Sequence, residues 1–202
     1  MAVPSIFKDN LSIPVIGAPL FIISNPDLVI AQCKAGVIGS FPALNARPEP
    51  VLEEWLDRIT SELKDHDKNN PDNKAAPFAV NQIVHGSNAR LKHDMDMCEK
   101  YEVPIIITSL GAKQWVNDQV HGWGGVVIHD IINNRFAKSA ISKGADGLIA
   151  VAAGAGGHAG QLSPFALIQE IREWFDGPLL LSGSMATGDS VLAAQAMGAD
   201  MG

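Results

Sequence analysis

Residues 147–160 read Gly-Leu-Ile-Ala-Val-Ala-Ala-Gly-Ala-Gly-Gly-His-Ala-Gly, and this stretch decides the fold. Its first seven residues are apolar without alternation, which is typical of a β-strand buried on both faces. The glycines that follow prevent a regular continuation, so the strand is predicted to end in a loop that carries His158. Glycine lets a backbone approach a flat or phosphorylated ligand closely and offers N–H groups to anions. A flexible turn with a chance histidine is the alternative interpretation.

The same unit of apolar run, break and helical pattern recurs along the whole chain. Six further apolar runs lie at 14–18, 37–41, 78–83, 103–109, 125–129 and 178–182. Helices are predicted near 26–34, 51–63, 88–100, 112–120, 134–143, 164–174 and 188–197. Asn25 is predicted to cap the first helix, with Pro26 at its first position, and residues 64–76 are predicted to form a polar loop. Asp200 and Met201 resemble the beginning of an eighth strand.

Seven such units with short connections predict parallel strands joined by right-handed crossovers. Their number favours a (β/α)8 TIM barrel over a doubly wound sheet. We therefore expect an α/β fold in one domain over residues 1–202, with the barrel truncated in or before strand eight. A barrel open at that point is expected to leave the edges of its first and seventh strands unpaired. A complete, smaller α/β fold is the alternative.

Composition limits the class of protein and of partner. With 202 residues, 47% hydrophobic and 18% charged, the chain is expected to be one soluble globular domain. A net charge of −7 without a basic cluster argues against nucleic-acid and anionic-membrane partners, so a small ligand is expected. Two cysteines without a CxxC motif, no secretory leader and no membrane-length apolar run indicate a cytoplasmic protein. The oligomeric state stays open, a homo-oligomer included.

Polar side chains gather at the predicted carboxyl ends of the strands, where barrels bind their ligands. Asn81 and His158 are predicted to be functional, whereas His85 and His129 are predicted to be structural. Ser182-Gly183-Ser184-Met185 stands where barrels commonly bind a phosphate, and a phosphate there indicates a nucleotide-like cofactor. Neither a Walker nor a Rossmann fingerprint is present, and the six scattered histidines disfavour a metal site.

Four motifs resemble the FMN-dependent nitronate monooxygenases, formerly called 2-nitropropane dioxygenases. They are Gly17-Ala18-Pro19, Val80-Asn81-Gln82, Ala155-Gly-Gly-His-Ala-Gly160 and Leu181-Ser182-Gly183. The resemblance extends from about Pro14 to Gly202. The glycine-histidine motif is shared with the flavin-dependent enoyl-acyl-carrier-protein reductases, so both families stay open on this evidence.

The resemblance implies an FMN across the barrel mouth and a role for each matching residue. Ala18, Pro19 and Leu20 would back the isoalloxazine, Asn81 would bond it, Ala155 and Gly156 would line it, and Gly183 and Ser184 would bind the phosphate. His158 would be the catalytic base. Two departures affect the pattern: Leu20 replaces a frequent Met, and only Val and Ala stand where an acidic residue often precedes the glycines.

The implied reaction is the oxidation of an alkyl nitronate or nitroalkane by O2 to a carbonyl compound and nitrite. The alternatives are an enoyl-acyl-carrier-protein reductase that uses NAD(P)H, and a flavin-binding barrel without turnover.

Overall fold

The computed structural model describes residues 5–7, 10–157 and 160–202. Six strands form one parallel sheet, and each strand pairs with the next one along the chain. The strands are Gly39–Pro42 (β1), Phe78–Ile83 (β2), Ile105–Ser109 (β3), Val126–Ile131 (β4), Gly147–Val151 (β5) and Leu179–Ser182 (β6). Sequential order with helical crossovers is the arrangement predicted from the repeated units.

The helices alternate with these strands. They are Pro26–Lys34 (α1), Val51–Asn69 (α2), Leu91–Lys100 (α3), Gln114–Gly122 (α4), Asn134–Ser142 (α5), Pro164–Arg172 (α6) and Gly188–Met197 (α7). The predicted start of α1 is confirmed, because the Asn25 side chain accepts a hydrogen bond from the Leu28 N–H and Pro26 is the first helical residue. In the part of the chain that the structure covers, no helix is both long and apolar enough to cross a bilayer.

The predicted loop at 64–76 is confirmed for residues 70–76 and wrong for residues 64–69, which are helical. Helix α2 continues to Asn69, with Leu63 buried and the following residues forming a mostly exposed polar turn. Charged residues are compatible with an exposed helical face, so polarity alone does not end a helix. Pro71, which lacks an N–H and restricts the residue before it, lies just beyond the observed end.

Successive side chains of the strands point alternately to the two faces of the sheet, and they form one apolar region on each face. One lies inside the curved sheet and contains Ile38, Ala79, Ile105, Ile107, Ile128 and Leu180. The intervening residues, such as Val80, Ile106 and Val127, pack against the helices. Because successive side chains on a strand point to opposite faces, this alternation decides which polar residues reach the interior at the carboxyl ends.

Two short segments join the edges of the sheet. Ile16 forms a parallel bridge with Ile38 beside β1, and Met201 forms one with Leu180 of β6. The two segments also pair with each other, since Ile16 N–H donates to Gly202 O at 2.9 Å and Gly202 N–H donates to Pro14 O at 3.0 Å. The expectation that the edges of the sheet are unpaired is therefore wrong at the positions of these bridges. Pro14 and Pro19 bracket the first segment and lack N–H donors, which agrees with single bridges in place of a longer strand.

Candidate functional site at the carboxyl ends of the strands

The loops that follow β5 and β6 meet. The carbonyl oxygen of Gly154 accepts hydrogen bonds from the Ser184 N–H at 3.1 Å and the Ser184 hydroxyl at 2.9 Å. A Cβ on Gly183 would lie 3.1 Å from Ala153 O and 3.3 Å from Ala155 N, and the Gly183 φ of +143° favours glycine. The structure thus brings Gly183 and Ser184 beside Ala155, while Gly156 is exposed and has no close neighbour for a Cβ among the described residues. Their assignment as cofactor contacts stays a prediction.

Both donors of Ser184 are engaged by the same carbonyl. A phosphate contact through Ser184 therefore requires its hydroxyl to exchange Gly154 O for the anion. Helix α7 begins four residues later, after Thr187 caps its first turn in a reciprocal arrangement with Ser190. The cap fixes the direction in which the chain leaves this loop.

The loop after the first apolar segment is held by two side chains. The Ser24 hydroxyl accepts from the Leu20 N–H at 2.9 Å and donates to Ala18 O at 3.3 Å. The Asn45 amide donates to Leu20 O at 3.0 Å and accepts from the Ile22 N–H at 3.2 Å. Ala18 and Leu20 are exposed and Pro19 is partly exposed. Sequence reasoning missed Asn45, because nothing local links it to a loop more than twenty residues earlier.

Asn81 faces the interior, as required for a residue of the mouth. It is 7% exposed, and its amide donates to the Ser109 hydroxyl at 2.7 Å and to Ile107 O at 3.2 Å. Its neighbour Gln82 points the other way and donates to the Cys98 sulfur at 3.4 Å. The amide of Asn81 is thus oriented by β3, and Ser109 joins the site although it was not among the predicted site residues.

His129 lies on the helix-facing side of β4. It is 4% exposed, and its Nδ1 lies 2.6 Å from the Thr108 hydroxyl oxygen. Burial, with a smaller contribution from the positive charge of Lys143, lowers the pKa of His129 to about 4, so the imidazole is neutral near pH 7. This geometry agrees with the structural role predicted for it.

The next residue, Asp130, has the opposite orientation. Ile128 belongs to the interior cluster, so Asp130 two residues later faces the interior at the mouth. Burial raises the pKa of its carboxyl, and the Ser109 side chain and the Leu110 N–H offset part of the rise. Asp130 was not among the predicted site residues, and the interior position of Ile128 in the structure is what separates its orientation from that of His129.

Apolar side chains surround the mouth. Phe21 and Ile22, after the first segment, are 58% and 77% exposed. Leu110 after β3, Ile132 after β4 and Leu162 before α6 are exposed as well. Large exposed apolar groups gathered at one end of a sheet are typical of a binding surface.

Two cavities of the fold lie away from this mouth. One of about 290 Å³ lies at the opposite end, where α2 meets the residues at the amino ends of β2 and β3, among them Thr60, Phe78 and Pro104. Another of about 240 Å³ lies between Phe21, Asn45 and Trp55 on the outer side of the mouth loop. Neither cavity is lined by Asn81 or by the described residues of the glycine loop.

The described side chains bear on three other kinds of chemistry: a catalytic base, a metal site and a nucleophilic thiol. His158, predicted as the catalytic base, lies outside the described residues. Among those that are described, no group of three His, Cys, Asp or Glu residues is placed to hold a metal ion. Cys33 and Cys98 are buried and unpaired, and burial raises their thiol pKa values to about 11 and about 12, which makes both poor nucleophiles.

Solved structures establish the fold. A nitroalkane oxidase from Streptomyces ansochromogenes superposes with a TM-score of 0.84 at 20% identity, over 98% of this chain and 66% of that one. A variant of FabK from Thermotoga maritima superposes with a TM-score of 0.79 at 21% identity, over 98% of this chain and 61% of that one. The chain thus spans less than two thirds of either protein.

Sequence comparison gives the family. A curated relative, the (3aS,4S,5R,7aS)-5-hydroxy-7a-methyl-1-oxo-octahydro-1H-indene-4-carboxyl-CoA dehydrogenase of Rhodococcus jostii (strain RHA1), is 28% identical over 186 residues, 92% of this chain and 49% of that protein. The chain therefore spans about half the length of this relative. The sequence profile of nitronate monooxygenase matches residues 5–202, which is nearly the whole chain. With the parallel strands and the loops that meet at their carboxyl ends, this match identifies the chain as a member of the nitronate monooxygenase family of oxidoreductases.

Proposed function

We propose that this chain carries the FMN site of an enzyme that oxidises nitronates or nitroalkanes with O2 to a carbonyl compound and nitrite. The observation that carries the proposal is the meeting of the β5 and β6 loops beside an inward-facing amide. Gly154 and Ser184 are in contact, and Asn81 lies at the same end of the sheet. Family membership supplies the reaction class.

The residues present fit a flavin mononucleotide. Among the described residues other than its two chain neighbours, none places an atom within 4 Å of where a Cβ on Gly156 would lie, which leaves room on that side for a planar ring. Gly183 allows the β6 loop to pass close to Ala153 and Ala155, which leaves the phosphate loop and the ring loop adjacent. In this proposal Ala18, Pro19 and Leu20 back the ring, Asn81 bonds it, Ala155 and Gly156 line it, and Gly183 and Ser184 hold the phosphate.

The bound flavin would supply electron transfer between the substrate and O2. The protein's own contribution is to position the substrate and to move its proton. We assign that proton transfer to His158, because an imidazole is the side chain that most readily exchanges a proton near neutral pH. Ser109 holds the amide of Asn81 in one orientation through their 2.7 Å hydrogen bond.

The bridges of Ile16 and Met201 support a further part of the proposal, that the complete fold is an eight-stranded (β/α)8 barrel in one domain. The unpaired cysteines favour a reducing compartment such as the cytoplasm.

The visible spectrum of the purified protein tests the proposal, with mass spectrometry of the cofactor released on denaturation. We expect a flavin spectrum and the mass of FMN. Anaerobic addition of a nitronate should bleach the flavin, and O2 should then restore its colour with release of nitrite. A protein without flavin, or one whose flavin no nitro compound reduces, would contradict the proposed function.

A second candidate is a flavin-dependent reductase or dehydrogenase that acts on an apolar acyl substrate. The exposed apolar residues around the mouth, including Phe21, Ile22 and Leu110, favour it. The curated relative is also named for a carboxyl-CoA substrate. Rapid anaerobic bleaching by NADH or NADPH, without bleaching by a nitronate, would select this candidate.

A further inference from the structure

Asp130 is an acidic side chain that neither the family resemblance nor the predicted site uses. It lies near the end of β4 on the interior side, two residues after the buried Ile128. Its carboxyl neighbours are the Ser109 hydroxyl and the Leu110 N–H, both on β3 and its following loop. Ser109 is the residue that receives the amide of Asn81. Asn81, Ser109 and Asp130 therefore form a row of polar side chains across three neighbouring strands.

The neighbours of Asp130 are neutral. Burial raises its pKa, and only neutral donors, the Ser109 hydroxyl and the Leu110 N–H, act against that rise. Among the described residues, the nearby cation Lys143 donates to Ala112 O at 2.8 Å, and its charge acts on His129, on the other face of β4. Of the predicted site, the remaining titratable group is His158, for which the structure gives no position.

A partly buried carboxylate disfavours a second negative charge beside it, because water screens its field less than that of an exposed group. A nitronate is an anion, whereas its parent nitroalkane is neutral. The negative charge of Asp130 therefore distinguishes the two forms of the same substrate, because it repels the nitronate and leaves the nitroalkane unaffected.

We propose that Asp130 is a specificity-determining residue that directs the mouth toward neutral nitro compounds and away from preformed anions. The inference rests on the proposed function for the identity of the substrate. The anion repulsion itself follows from the placement of the carboxyl. The same repulsion leads to a second expectation. Asp130 should lower the reduction potential of a flavin bound in the mouth, because reduction adds negative charge to the flavin.

The experiment compares Asp130→Asn with the wild-type protein at pH 8, where an ordinary imidazole is neutral and cannot attract the anion. The probe is nitrate, an inert planar oxyanion, and its dissociation constant is measured by isothermal titration calorimetry. Removing the charge should lower the dissociation constant of nitrate about tenfold, which is the change in an equilibrium constant that corresponds to a shift of one pKa unit. Asp118→Asn is the matched control, since Asp118 is an exposed residue of α4 and its replacement changes the net charge equally. Asp118→Asn should leave nitrate binding unchanged.

Two further measurements separate the parts of the proposal. The flavin midpoint potential should rise in Asp130→Asn, by about 30 mV if the two-electron equilibrium changes tenfold. The ratio of kcat/KM for nitronate to kcat/KM for nitroalkane should rise as well, while Asp130→Glu should keep the wild-type ratio. Where Asp130→Asn does not fold, Asp130→Ser removes the same charge with a smaller side chain.

Nitrate binding that is equal in Asp130→Asn and wild type, or undetectable in both, overturns the inference. So does an unchanged substrate ratio with the flavin fully bound. Failure of the proposed function has a different signature: the wild-type protein then contains no flavin, while calorimetry with nitrate still reports whether Asp130 repels anions.

Discussion

Replacing Gly183 with alanine tests the junction of the two loops directly. The new Cβ would lie 3.1 Å from Ala153 O, 3.3 Å from Ala152 O and 3.3 Å from Ala155 N, all of them backbone atoms that cannot rotate away. The φ of +143° adds strain for any residue with a Cβ. Strain of this kind costs about 1–3 kcal/mol. For a domain of this size each kcal/mol lowers Tm by about 2–4 °C, so Tm should fall by about 2–12 °C.

The assay is thermal unfolding followed by circular dichroism, with cofactor content measured on the same samples. Gly122→Ala is the matched control, because Gly122 ends α4 far from the mouth and, in the part of the chain that the structure describes, nothing outside its own helix lies within 4 Å of its Cβ position. Its Tm should change little. Gly156→Ala should also leave Tm unchanged, since no described residue crowds the Cβ position of Gly156, but it should weaken flavin retention if the ring lies there. Equal Tm values for Gly183→Ala and Gly122→Ala would refute the loop contact.

Three further predictions follow from the site. Asn81→Ala should weaken FMN binding by about 1–3 kcal/mol, the cost of leaving a flavin partner unsatisfied, and fluorescence titration that finds the wild-type Kd would return Asn81 to a structural role. His158→Ala should lower nitroalkane turnover by about 10²–10⁴-fold and nitronate turnover less, because the nitronate has already lost the proton; equal losses with FMN fully bound would exclude the base assignment. His129 has a folded pKa of about 4 against an ordinary 6.5, so the unfolded state binds more protons between these values and stability should fall by up to about 3 kcal/mol as the pH drops through this range. His129→Gln should show a shallower loss in acid-dependent urea unfolding, and an unchanged slope would contradict the assignment.

The order of elements could be predicted from the sequence because each signal is local. Asn25 followed by Pro26 marks the start of α1, and the apolar run Phe78–Ile83 is observed as β2 with the predicted bounds. The pairing of Gly202 with Pro14 was beyond local reasoning. It depends on two segments at opposite ends of the chain, and single bridges leave no repeating pattern in the sequence.

The orientation of side chains at the strand ends was the harder part. A strand buried on both faces shows no polar alternation, so His129 and Asp130 were equivalent in the sequence. Register with the neighbouring strands decides between them: Ile128 lies inside, which sends His129 toward the helices and Asp130 toward the mouth. The amide of Asn81 was identified from its motif, but its partner Ser109 became visible only with the pairing of β2 and β3.

Three of the five non-glycine residues with positive φ in the described part of the chain lie in the mouth loops, and their contacts argue that the site is preorganised. Ile22, Leu110 and Ser184 have φ values of +69°, +59° and +52°, a region that residues with a Cβ seldom adopt, and each lies in a loop that follows a strand or bridge. Each is accompanied by a specific contact: Ile22 N–H donates to Asn45, Leu110 N–H lies beside Asp130, and Ser184 bonds Gly154 O. Such strain persists only where the surrounding structure enforces it. These contacts therefore hold the mouth loops in fixed positions on the sheet. The groups that would contact a ligand are positioned by them, and not only by the conformations that glycine allows.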